Sequence, residues 1–119
     1  MKYMGSKNRI AKDILPIILA DRKKDQWWVE PFVGGANMID KVEGYRIGSD
    51  LNKYLIALSK EMQKESFQAP IITEKIYKDM KNNPNYYKDW ELGFAGFQLS
   101  YGSLWYNYSR FIPHYGRYC

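Results

Sequence analysis

Between residues 27 and 66 the hydrophobic period of the chain changes repeatedly, and the order of those changes restricts the fold more than any other feature. The run Trp27-Trp28-Val29-Glu30-Pro31-Phe32 is aromatic and β-branched and ends in Gly34-Gly35, the pattern of a buried strand entering a tight turn. Ala36 to Val42 reads as a short helix with Met38 and Ile39 inward, closed by Glu43-Gly44. A second strand is expected over Tyr45-Arg46-Ile47-Gly48-Ser49-Asp50. Leu51, Leu55, Leu58 and Met62 then recur at helical spacing up to Ser66. Strand, glycine turn, helix, strand, acidic turn, helix is the order of an α/β, nucleotide-type fold.

Helical patterns flank this unit. Ser6 stands as an N-cap ahead of Ile10, Ile14 and Ile17/Ile18, whose spacing predicts an amphipathic helix that Pro16 kinks or restarts. Thr73 is the expected cap of a helix with Ile76, Tyr77 and Met80 on one face, ending at Asn82-Asn83-Pro84. Tyr87, Trp90, Phe94, Phe97, Tyr101 and Leu104 fall at steps of three and four, which predicts one longer helix after it. No repeat, low-complexity tract or Gly/Ser linker marks a boundary. The chain is therefore read as a single domain, 1–119, with a cofactor-binding βα portion over 1–66 and a helical, aromatic-rich portion over 67–119.

Composition narrows the class. With 45% hydrophobic and 26% charged residues, a chain of 119 residues has too many core formers for a disordered tail and too many charges for a membrane protein. The longest apolar run, Ile14 to Ala20, contains Pro16 and sits between charged turns, so no membrane span or signal core is expected and the reading is cytoplasmic. The one cysteine, Cys119, excludes an internal disulfide and a cysteine cluster, and the one histidine, His114, argues against a metal site. A net charge of +5 favours a polyanionic partner such as nucleic acid.

Glycines directly after a strand, as in Glu30-Pro31-Phe32-Val33-Gly34-Gly35-Ala36-Asn37, let the backbone approach a ligand that a Cβ would exclude. A bare Gly-Gly equally serves a plain connection that needs only positive φ. Asp50 ends the next strand about twenty residues after Glu30, where a carboxylate can accept from the two ribose hydroxyls of an adenosine-containing cofactor. It can also serve as the N-cap of the following helix, and the two roles can coexist.

Three segments become specific in combination: Tyr3-Met4-Gly5-Ser6-Lys7, then Glu30-Pro31-Phe32-Val33-Gly34-Gly35, then Ser49-Asp50-Leu51-Asn52. Together they resemble the Dam-type DNA-adenine methyltransferases, which use S-adenosylmethionine to methylate the exocyclic amine of adenine. The resemblance is strong over about residues 1 to 60. It implies a partial Rossmann-like methyltransferase sheet with flanking helices, Tyr3 and Lys7 near the cofactor, Glu30, Pro31, Phe32, Gly34 and Gly35 in the loop under its methionine part, and Asp50 on the ribose. A looser match runs from Gly93 to Arg110, where Phe97-Gln98-Leu99-Ser100-Tyr101-Gly102-Ser103-Leu104-Trp105 is similar to a family segment near the start of the target-recognition region.

The departure lies at the catalytic loop. The family carries Asp-Pro-Pro-Tyr, which accepts hydrogen bonds from the adenine amine and stacks on the flipped base. Here Pro16, Pro31, Pro70, Pro84 and Pro113 are all isolated, so that tetrapeptide is absent and no catalytic residue is assigned. The nearest string, Asn83-Pro84-Asn85-Tyr86, follows a polar, helical stretch rather than a buried strand, and a helix-breaking turn is the reading preferred there.

The expectation is thus the S-adenosylmethionine-binding portion of a DNA-adenine methyltransferase-like protein, truncated or remodelled and phage-derived, with catalysis absent unless a second polypeptide supplies the loop. The alternatives are a non-catalytic interaction protein on the same scaffold and a basic DNA-binding module without cofactor. Tyr101, Trp105, Tyr106, Tyr108, Phe111, Tyr115 and Tyr118, interleaved with Arg110, His114 and Arg117, suit base stacking, a protein interface or core packing. Trp105, Tyr108, Arg110 and Arg117 are the candidate DNA or partner contacts. A sheet short of strands leaves an edge or apolar face uncovered, which predicts a homodimer or hetero-complex through residues 105–119.

Overall fold

A computed structural model describes residues 1–100 and 103–106. The two strands form as expected but shorter: β1 (Trp28–Glu30) pairs in parallel with β2 (Arg46–Gly48), Val29 opposite Ile47. Parallel strands need a long crossover. Here residues 31–45 supply it with one 3₁₀ turn, Ile39–Lys41, in place of the helix expected over Ala36 to Val42. Ala36 sits at φ +60, which breaks a right-handed helix at its first turn. Met38 and Val42 are buried below this crossover, while Ile39 is only half-buried. The Arg46 guanidinium closes the turn by donating to the Ile39 and Val42 carbonyls at 2.8 and 2.6 Å.

Helix α1 (Asn8–Leu19) runs unbroken through Pro16, correcting the expected restart. Pro16 and Lys12 both face solvent, where water can satisfy the carbonyl that the missing N–H leaves open. Ser6 Oγ accepts from the Asn8 N–H at 3.2 Å, although the cap position itself is Lys7. The buried stripe is Ala11 and Leu15 with Ile14 and Leu19 beside them, packed on Met38, Val42 and Trp28. Ile10, Ile17 and Ile18 point outward. The small Ala11 allows closer helix approach than an isoleucine stripe would, so the inward face is rotated by about one residue from the one that the isoleucines mark.

Helix α2 (Lys53–Met62) is capped by Asn52, whose side chain accepts from the Tyr54 and Leu55 N–H groups. Leu55 and Leu58 are fully buried, whereas Leu51 lies in the preceding turn and is fully exposed. Helix α3 (Glu74–Asn82) starts at Thr73, whose Oγ1 accepts from the Ile76 N–H, and buries Tyr77 and Met80 as the spacing predicts. The long helix expected from Tyr87 to Leu104 is instead α4 (Asp89–Gly93) followed by a π-wound turn, Phe94–Gln98. Steps of three and four do not register the extra residue that one π turn inserts. Helices α2 and α4 pack together, and Ile72, Tyr77, Met80, Leu92, Ala95, Leu99 and Tyr106 form a core separate from the one under α1.

One face of the sheet is open. Trp27 stacks on Tyr45 at 5.3 Å, and the register pair Val29 and Ile47 beside them is 63% and 54% exposed. No helix among the described residues is long and apolar enough to cross a membrane.

Candidate functional site

The β1 and β2 ends and the residues before α1 converge on one cleft of about 460 Å³, within the size range of small-molecule sites. The strand pairing continues past β1, with the Ser49 N–H on the Glu30 carbonyl and the Val33 N–H on the Ser49 carbonyl, both at 2.9 Å. This zippering carries the chain into Gly34, whose φ of +52 turns its N–H toward Asp50 Oδ2 at 3.0 Å. Asp50 Oδ1 accepts from the Asn52 N–H at 2.9 Å, so one carboxylate ties the glycine turn to the approach of α2. Asn52, not Asp50, is the cap of that helix. A carboxylate has about four lone-pair sites, and the two spent here leave the others for a ligand's donors.

The Tyr3 side chain packs against the glycines, with one edge of its ring at Gly34 and its Cβ at Gly35. A Cβ on Gly34 would come within 3.0 Å of Tyr3 Cε1, and one on Gly35 within 3.1 Å of Tyr3 Cβ and 3.2 Å of the Met1 carbonyl. Backbone and aromatic ring meet only because both positions lack side chains.

Lys7 forms the cationic corner, donating to the Phe32 carbonyl at 2.7 Å and to Glu30 Oε1 at 3.3 Å. Glu30 is 8% exposed, and its second oxygen accepts from Trp28 Nε1 at 3.3 Å. Glu30 therefore stands behind the wall and orients Lys7 rather than lining the cleft. Pro31 also lies outside the lining, its carbonyl accepting from Ser49 Oγ at 3.2 Å. Phe32 lines the mouth as an exposed aromatic platform.

Six of the eight expected cofactor residues, Tyr3, Lys7, Phe32, Gly34, Gly35 and Asp50, thus share one cleft, joined by Met4, Gly5, Ser6, Val33, Asn37, Met38 and Leu51. Asn37 went unassigned in the sequence. Its Nδ2 donates to Ser6 Oγ at 2.6 Å and to the Met1 carbonyl at 3.2 Å. Its place two residues after Gly35 was the available signal. Gln98, which reaches Lys2 across 96 positions, carries no local signal at all.

The other candidates lie elsewhere. Trp105 stacks on Tyr54 at 4.7 Å and packs on Phe97 at 4.9 Å, with 42% of its surface exposed. Tyr108, Arg110 and Arg117 fall outside the described residues. Asn83-Pro84-Asn85-Tyr86 forms the end of α3 and a 3₁₀ turn over Pro84–Tyr86, so that a helix leads into it, and Tyr86 is exposed. The Asp79 carboxylate, held below the usual range by hydrogen bonds from Tyr87 and Asn83, locks that same end of α3 rather than facing the cleft. Among the described residues no cluster of three or more His, Cys, Asp or Glu is placed to hold a metal.

No curated protein and no solved structure matches the chain. A family model does match, that of the D12 class N6 adenine-specific DNA methyltransferases, over residues 3–97, a span that takes in every cleft residue named above. With so much of its length matched, including both strands and the glycine turn between them, the chain belongs to the D12 class N6 adenine-specific DNA methyltransferase family.

Proposed function

We propose that the cleft binds S-adenosylmethionine and that the chain is the cofactor-holding part of a DNA-adenine methyltransferase. The observation that carries this reading is one cleft in which the Gly34-Gly35 turn, closed on one side by Tyr3, is flanked by a carboxylate with unused acceptor sites and a lysine ammonium. Asp50 is suited to hydroxyl donors of the ribose, Phe32 and Tyr3 to flat apolar surface, and Lys7 to a carboxylate. When bound, the cofactor supplies an electrophilic methyl group on sulfonium. The chain's own residues grip and orient it.

Transfer to adenine needs a group that accepts from the amine and a ring that stacks on the flipped base. These 119 residues hold no Asp-Pro-Pro-Tyr, so catalysis is absent unless a second polypeptide supplies that loop. DNA is the proposed substrate, in keeping with the net charge of +5.

Calorimetry with S-adenosylhomocysteine, the non-reactive product, tests the reading. Binding is expected, and Asp50→Asn lowers the affinity at least about tenfold, because each hydrogen bond to a charged group contributes about 1.5–3 kcal/mol. A folded wild-type chain that gives no heat at millimolar ligand refutes it. The alternative, an interaction protein on this scaffold, is favoured by the open Trp27, Val29, Tyr45 and Ile47 face, and it predicts no cofactor binding together with a mass above the monomer in light scattering.

A further inference from the structure

The first residues of the chain form one wall of the cleft, yet they belong to no helix or strand. Their position is set instead by two side-chain amides. Gln98 pairs with both main-chain groups of Lys2: its Oε1 accepts from the Lys2 N–H at 3.2 Å and its Nε2 donates to the Lys2 carbonyl at 3.0 Å. This is the pairing a neighbouring strand would offer, supplied by one side chain. Asn37 treats Met1 in the same way, Nδ2 donating to the Met1 carbonyl at 3.2 Å and Oδ1 accepting from its amino group at 3.5 Å. Between the two amides the chain has one register, and that register sets one edge of the Tyr3 ring against Gly34. Phe97, next to Gln98 in the π-wound turn, meets the other side of Tyr3 edge-on, with centroids 5.6 Å apart.

We propose that Gln98 and Asn37 are positioning residues for the cofactor cleft, fixing the Tyr3 wall through the main chain of residues 1 and 2. Gln98 is absent from the cleft lining, so its effect on a ligand has to pass through the arm it holds. The π-wound turn gives the reason for its own shape: inserting one residue brings Phe97 and Gln98 to the arm together. The inference rests on the cofactor reading above for its ligand, and on hydrogen bonding alone for the clamp.

Two measurements on the full chain test it. In calorimetry with S-adenosylhomocysteine, Gln98→Ala is expected to weaken binding about three- to tenfold, the worth of one to two neutral hydrogen bonds. Gln98→Glu, which keeps the acceptor but sets a carboxylate against the Lys2 carbonyl, should do no better. In a Tyr3→Leu background Gln98→Ala should add no further loss, whereas in an Asp50→Asn background it should add its full loss, since only residues acting through one element are non-additive. A full loss in both backgrounds, or none in the wild-type background, overturns the proposal. Hydrogen exchange supplies the second readout: the Ser6 amide, which donates to the Tyr3 carbonyl at 3.2 Å, should exchange at least tenfold faster in Gln98→Ala while the amides of α3 do not change. Unchanged exchange overturns the clamp. Faster exchange in a chain that binds no ligand even as wild type refutes the cofactor reading and leaves the clamp standing.

Discussion

Substituting Gly93 by alanine sets helix propensity against packing, and the structure decides the sign. Gly93 lies in α4 with ordinary helical angles, φ −61 and ψ −45, so an added Cβ brings no backbone strain. Propensity alone makes the alanine form more stable by about 1 kcal/mol. The helix, however, crosses α2 at this point, and the new Cβ would lie 2.6 Å from the Tyr54 carbonyl oxygen, 3.2 Å from its carbon and 3.4 Å from Leu58 Cβ. Ordinary contact begins near 3.4 Å, so the two helices must separate by most of an ångström. The obstacle is main chain and cannot rotate away. Leu55, Leu58 and Leu92, buried around this crossing, lose contact as the helices part. Overpacking of this kind costs about 1–3 kcal/mol, and the upper half of that range applies to a backbone obstacle. The net expectation is a loss of about 1–2 kcal/mol. For a chain of this size that lowers Tm by roughly 5 °C. Thermal unfolding by circular dichroism, checked by a urea titration with an unchanged slope, measures it. A Tm equal to or above wild type means that α4 does not lie this close to α2 and refutes the reasoning.

Three further outcomes follow from named contacts. Lys7→Met leaves the buried Glu30 carboxylate with Trp28 Nε1 as its remaining partner and should lower stability by about 1–2 kcal/mol in a urea titration, a figure reduced because Lys7 is partly solvent-exposed; an unchanged midpoint refutes the pairing. The hydrogen bond from Tyr87 holds the Asp79 carboxyl below its ordinary 3.8, so its contribution is complete above that pH and is lost as pH falls through the lower folded-state value. The Tm difference between wild type and Tyr87→Phe should accordingly shrink on acidification below 3.8, and a gap that widens there contradicts the lock. Burial, with the neighbouring tyrosines adding to it, pushes the Tyr106 phenol well above its ordinary 10.0, a contribution present below pH 10 and lost as pH rises toward the folded-state value. Tyr106→Phe, which also removes the bond to the Leu92 carbonyl at 3.0 Å, should therefore flatten the alkaline limb of the stability curve; an alkaline limb as steep as wild type in a Tm-against-pH series refutes it.

Elements whose causes are local can be read from neighbouring residues. Thr73 caps α3 because its hydroxyl needs only the N–H three residues ahead, and Tyr77 and Met80 follow from the period of that same helix. The order of strands and helices around Gly34-Gly35, and the membership of Tyr3, Lys7, Phe32 and Asp50 in one cleft, were legible because turn chemistry and a three-part motif carry them. Other features depended on what each segment meets across the fold. Which stripe of α1 turns inward depends on Met38 and Val42, which are more than twenty residues away and select Ala11 and Leu15 over the bulkier isoleucines. The crossover lost its helix to the left-handed Ala36 and to Arg46, which binds the carbonyls from outside the segment. Gly93 and the π-wound turn divide what looks like one continuous helix, because the surface of α2 and the arm at residues 1 and 2 demand close approach at particular points. Glu30 shows the same division within the site: its presence in the loop is a sequence property, while its turn inward to hold Lys7 is settled by Trp28 and burial. Local hydrogen bonds and periodicity are written in neighbouring residues, whereas contacts across dozens of positions exist only once the chain has closed.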